Sequence, residues 1–157
     1  MQKIFRREKS TIDWEQIKNS DLAYPKHSFS ILKLTMPSGQ IGTGWVDKGY
    51  KKYDYKEFCP YNIEIEIDLT DPIAESNADL DMATVEDFFS ENLKKNCIFH
   101  LVSRVATEKG MSIIAYTEYE EQINILLRNI IADKKRLVTF EFKMTYDPKW
   151  KKTRTIL

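Results

Sequence analysis

Tyr61-Asn62-Ile63-Glu64-Ile65-Glu66-Ile67-Asp68-Leu69 alternates apolar and polar side chains over nine consecutive positions. Side chains leave a strand on opposite faces with period two, so Tyr61, Ile63, Ile65, Ile67 and Leu69 share one face and Asn62, Glu64, Glu66 and Asp68 the other. The segment therefore reads as a strand with one dry side, and the dry side needs a cover.

The residues that follow supply it. After a loop with Asp71-Pro72 and polar residues 76–81, Thr84 and Asp87 read as a capping pair. Val85, Phe88, Phe89 and Leu93 then form one stripe of a helix over 84–95. Residues 97–106 are rich in strand formers, 107–110 form a turn in which Gly110 is expected at positive φ, and 111–116 return as the hairpin partner. A second helix is expected over 118–131, opened by Thr117 and Glu120, with Tyr119, Ile123, Leu126, Leu127, Ile130 and Ile131 on its core stripe. Residues 138–146 alternate once more before Asp147-Pro148 stops the strand. The order β-α-β-β-α-β closes economically as an α+β, ferredoxin-like antiparallel sheet with two helices on one face. Strands 61–69 and 111–116 would be central, and strands 97–106 and 137–146 outer. The other face, with Glu64, Glu66, Asp68, Glu141 and Lys143, is left for water, the N-terminal residues or a second subunit.

Ahead of this core, Asp13 with Gln16 marks a short helix, and Phe29–Met36 and Ile41–Val46 around Pro37-Ser38-Gly39 mark a β-hairpin. The chain is expected to form a single domain over 1–157, with residues 1–58 a helix and hairpin extension and residues 60–150 the core. Gly39, Gly42 and Gly44 lack the Lys-Ser/Thr and the strand-loop-helix setting of a phosphate loop and read as turn and strand glycines.

With 157 residues, 42% hydrophobic and 31% charged, the chain can bury a core without metal or disulfide. Its 24 basic and 24 acidic residues cancel, which removes a whole-molecule electrostatic case for nucleic acid or anionic membrane. No apolar span or signal-peptide pattern is present, and Cys59 and Cys97 have no CxxC partner, so a cytoplasmic, reducing setting is expected. The charge is uneven: net +4 over residues 1–60, −10 over 61–121 and +6 over 122–157, which favours the ends folding back on the middle.

Ser103-Arg104-Val105-Ala106-Thr107-Glu108-Lys109-Gly110, the return strand ending at Tyr116, and Asp147-Pro148-Lys149-Trp150 resemble a bacterial family catalogued as domain of unknown function 695, over about residues 60–150. Its pattern is a strand, an acidic loop into a helix, a hairpin of the type GRVTxxGxREFFFY, a helix, and a strand closed by DPxW. Arg104, Gly110, Tyr116, Asp147, Pro148 and Trp150 match; Ser103 replaces the first Gly. The Gly-Leu/Phe-Pro element before the first helix and the aromatic residues after Trp150 are missing. The resemblance implies a ferredoxin-like relationship to a small inhibitor of a bacterial ribonuclease, and hence regulatory protein binding.

Catalytic patterns are weak. Cys97 and His100 are three apart, which in a strand sends them to opposite faces, and the spacing of Glu64 and Glu66 is what any half-solvated strand requires. No catalytic residue, cofactor or metal is therefore expected. The function expected is a noncatalytic regulatory or protein-interaction domain, acting on a protein partner or as a homodimer. Its candidate surface is Glu64, Glu66, Asp68, His100, Arg104, Glu141, Lys143 and Trp150. One alternative is a small-molecule site or enzyme around Glu64, Glu66, His100 and Arg104. Another is single-stranded nucleic-acid binding through Tyr50–Lys56 or the basic residues 149–154, which the acidic first strand disfavours.

Overall fold

A computed structural model describes residues 11–157. Asp13 caps helix α1 (Trp14–Lys18) by accepting from the Gln16 amide, as its sequence position predicts. Strands β1 (Phe29–Thr35) and β2 (Ile41–Asp47) form the expected hairpin. Two 3-10 turns (Lys48–Lys52 and Lys56–Phe58) lead to β3 (Tyr61–Asp68). Short helix α2 (Pro72–Glu75), helix α3 (Met82–Lys94), strands β4 (Phe99–Ala106) and β5 (Gly110–Thr117), helix α4 (Glu121–Ala132) and strand β6 (Thr139–Tyr146) complete the order. No helix among the described residues is long and apolar enough to cross a membrane.

All strands join one antiparallel sheet in the order β1-β2-β4-β5-β3-β6. As a whole this is not the four-stranded ferredoxin order. The hairpin is spliced along β4, so the strand expected at an edge lies inside the sheet, while β1 and β6 are the edges. Gly44 permits the splice: a Cβ there would lie 1.8 Å from the Arg104 carbonyl oxygen. The fold is thus an α+β sheet extended by the N-terminal hairpin.

The apolar face of β3 behaves as its alternation requires. Ile63, Ile65 and Ile67 are buried with Val85, Phe89 and Leu93 of α3 and with Ile123 and Leu127 of α4, so both helices pack into one core on one side. Phe140 joins them, and Phe142 is only partly buried because β6 is an edge strand.

Local details correct several expectations. Helix α3 is capped by Asp81, whose carboxylate accepts from the Thr84 amide and hydroxyl, so Thr84 lies inside the helix. Helix α4 begins at Glu121 with no side-chain cap, because Thr117 belongs to β5 and its hydroxyl donates to the Ile98 carbonyl. Tyr119 therefore precedes the helix and is exposed. Gly110 is not at positive φ, where Gly39 is the one glycine; at Gly110 a Cβ would instead meet the Ile67 carbonyl oxygen at 2.7 Å.

Candidate interaction surfaces

The second face of the sheet is half covered. Asn62, His100 and Tyr116 lie across it, and over them sit Tyr50, Tyr53 and Trp150 in a buried aromatic cluster. Trp150 stacks on Tyr116 at 4.0 Å with an interplanar angle of 6°, and its indole N–H donates to the Cys59 carbonyl at 2.9 Å. Asp147 builds the turn that places Trp150. Its carboxylate accepts from the amides of Lys151 at 2.9 Å and Lys152 at 3.0 Å and from the Tyr116 hydroxyl at 2.8 Å. Burial works to raise the Asp147 pKa, but those donors together hold it below the usual carboxylate range. Trp150 adopts φ 51, a left-handed conformation rare for a bulky residue.

His100 is fully buried in this cluster, its Nδ1 3.1 Å from the Tyr50 hydroxyl. Burial, helped by the charges of Lys94 and His27, pushes its pKa down to about 3, so the ring is neutral at physiological pH. Burial also pushes the Cys59 and Cys97 thiols up, which disfavours the thiolate either would need as a nucleophile.

The candidate surface read from sequence is therefore divided in three. Glu64, Glu66, Asp68, Glu141 and Lys143 share the uncovered half, with Glu64 opposite Lys143 and Glu66 opposite Glu141. Glu64 also pairs with Lys152 at 3.0 Å, and the Ser112 hydroxyl donates to Glu66 at 2.6 Å. His100 lies beneath the cover and Trp150 is buried within it, so neither presents anything to a partner. Arg104 lies on the helix side, bonded to Glu86 of α3 at 3.0 Å. Its spacing of four from His100 predicts one shared face. A bulge between Leu101 and Ser103 adds a residue, reverses the parity of β4 and separates them.

The Tyr50–Lys56 segment, weighed for nucleic acid, instead buries Tyr50 and Tyr53 and leaves Lys51 and Lys52 in water. That is the arrangement of an amphipathic connector.

A second surface lies on the helix side of the hairpin. Cross-strand pairing puts Phe29, Ile31, Lys33, Ile41 and Trp45 on the side of the sheet that carries α3 and α4; Trp45 is half-buried against Glu86 of α3, while neither helix covers Phe29, Ile31 or Ile41. Phe29 is 60% exposed, Ile31 83% and Ile41 57%; Leu34, on the opposite side of β1, is 43% exposed. Between this patch and α3 runs a groove of 390 Å³. Its floor and ends are Phe29, Ile31, Trp45, Phe99, Leu101 and Tyr24, and its helical wall is Glu86, Ser90 and Lys94, one stripe at four-residue spacing. At one end His27 Nδ1 is 2.5 Å from Asp47, whose carboxylate also accepts from the amides of Ser28 and Gly49, each at 2.9 Å.

The sequence does carry a signal for this patch. Phe29-Ser30-Ile31-Leu32-Lys33-Leu34 is apolar on both faces, which a strand buried on one side does not need. Which side stays uncovered depends on the splice to β4, which no local pattern encodes. Comparisons with known protein families, with curated proteins and with solved structures find no match for the chain.

Proposed function

We propose that the chain is a noncatalytic protein-interaction domain of regulatory type, and that its docking surface is the hairpin rather than the acidic half of the opposite face. The observation that carries this is the grouping of Phe29 and Ile31 on the free edge strand with Trp45 opposite Ile31, the Phe29 and Trp45 rings 5.1 Å apart, all three lining one groove. Scattered exposed apolar residues are ordinary, whereas a contiguous apolar patch with a polar rim is characteristic of binding surfaces. The acidic half is already engaged in part by its own chain through Lys152 and Ser112.

The β3-to-β6 portion reads within this proposal as a ferredoxin-like unit carrying an extra hairpin, a reading supported by the neighbour order β4-β5-β3-β6. The likeness to domain of unknown function 695 supports regulation in the same sense, and Asp147 and Trp150 give its DPxW closure an architectural role. Two free cysteines suit a cytoplasmic setting.

The test is site-specific photocrosslinking in cells. A photoreactive side chain at exposed Thr43 on the hairpin should give discrete protein adducts that Ile31→Asp removes, while the same probe at Glu66 should give none. Adducts from position 66 that ignore Ile31→Asp would move the surface to the acidic half. Absence of adducts at both positions would count against an interaction domain.

A further inference from the structure

We propose that the hairpin groove is the slot for a third helix, supplied by a partner protein as an amphipathic segment with acidic flanks. The inference rests on the interaction reading above and names the occupant. Neighbouring strands stand about 4.8 Å apart and packed helices about 8–10 Å apart, so one helix covers about two strands. The sheet has six strands and one side carries two long helices, α3 and α4, which share their core with β3, β4, β5 and β6. The hairpin's share of that side is one helix wide, and where the groove crosses it the floor of Phe29, Ile31 and Trp45 is apolar.

The flank of the slot is also that of a helix pair. Val85, Phe89 and Leu93 turn one side of α3 to the core, leaving Glu86, Ser90 and Lys94 as an outward stripe along the groove. Charge then selects the occupant. Glu86 is neutralised by Arg104 at 3.0 Å, and Asp47 faces His27. Lys94 on the helical rim, its ammonium 5.6 Å from the centre of the Tyr24 ring, and Lys33, two residues beyond Ile31 on the same strand face, form no ion pair with a carboxylate among the described residues. A helix with an apolar stripe toward Ile31 and Trp45, and Asp or Glu beside the stripe, would answer both cations.

The experiment selects binders to the full chain from an unbiased display library of random 18-residue peptides, and measures the chain's mass by sedimentation. Enriched peptides with apolar residues spaced three and four apart, acidic neighbours and helical circular dichroism when bound would support the proposal. Ile31→Lys and Lys94→Glu should each weaken them at least tenfold. Both positions are exposed, and an unchanged melting curve verifies that each variant is folded. Peptides with period-two apolar spacing that are lost in Ile31→Lys would mean strand addition to β1, overturning the helix while leaving the interaction reading intact. A dimer dissociated by Ile31→Lys would give the slot to a second copy and overturn the proposal likewise. Peptides insensitive to Ile31→Lys but lost in a Glu64→Lys, Glu66→Lys variant would place binding on the acidic half. A monomer that enriches nothing would overturn both readings.

Discussion

His100 shows how one buried ring couples stability to pH. Its pKa is about 3 in the folded chain against 6.5 for the free side chain, so between these values the unfolded state binds the extra proton. Stability contributed by the neutral ring is complete above about pH 6.5 and declines as pH falls toward about 3, by at most roughly 1.4 kcal/mol per pH unit. Denaturation at pH 7 and at pH 5 should show that loss, and His100→Gln should reduce the difference between the two; an equal difference in the variant would show that other groups carry it. Trp150 is the second test at this scale. Its ring is packed against Tyr116, Tyr50 and Tyr53, and Trp150→Ala should cost about 3–5 kcal/mol in chemical denaturation. A ligand-facing tryptophan would cost little stability, so the measurement separates the two roles.

At the level of elements, Leu127 and Gly44 report on the two additions to the β3 strand. Leu127 is fully buried between α4 and the sheet, and Leu127→Ala should cost about 2–5 kcal/mol, checked by urea denaturation. Gly44 lies opposite Val105 where β2 meets β4, and any Cβ would collide with backbone rather than with a side chain that could turn away. Gly44→Ala should therefore loosen the hairpin selectively. Amide exchange should accelerate in β1 and β2 while β3 and β5 stay protected; uniform acceleration would show that hairpin and core unfold together. The helices illustrate the limits of capping patterns. Asp81 and Thr84 both sit at plausible distances from the α3 stripe, and the loop geometry after α2 decides that Asp81 supplies the cap.

Over the whole molecule, the uneven charge profile corresponds to real contacts between its segments. Lys18 from the basic N-terminal part pairs with buried Glu118 at 3.1 Å, and Lys152 from the basic C-terminal part with Glu64 at 3.0 Å. The second pair joins two flexible side chains that are 32% and 35% exposed, at the sheet surface rather than in the core, so Glu64→Lys with Glu66→Lys should leave the denaturation midpoint nearly unchanged. A large drop would mean that the acidic half is a structural surface. The sequence by itself determined the strand faces and the middle of each helix stripe: Ile63, Ile65, Ile67, Phe89, Leu93, Ile123 and Leu127 are buried where periods of two and about 3.6 place them, while Tyr119 and Ile131 at the ends of the second stripe are exposed. It also determined the hairpin at 29–47, because turn residues and β-prone runs are local signals. Tertiary structure alone decided the rest. The bulge in β4 reversed the face of Arg104, the aromatic cluster withdrew His100 and Trp150, and the splice of β2 onto β4 left Phe29 and Ile31 uncovered. Each of these depends on which distant segments meet, and periodicity fixes the direction of a side chain relative to its own element without fixing what lies above it.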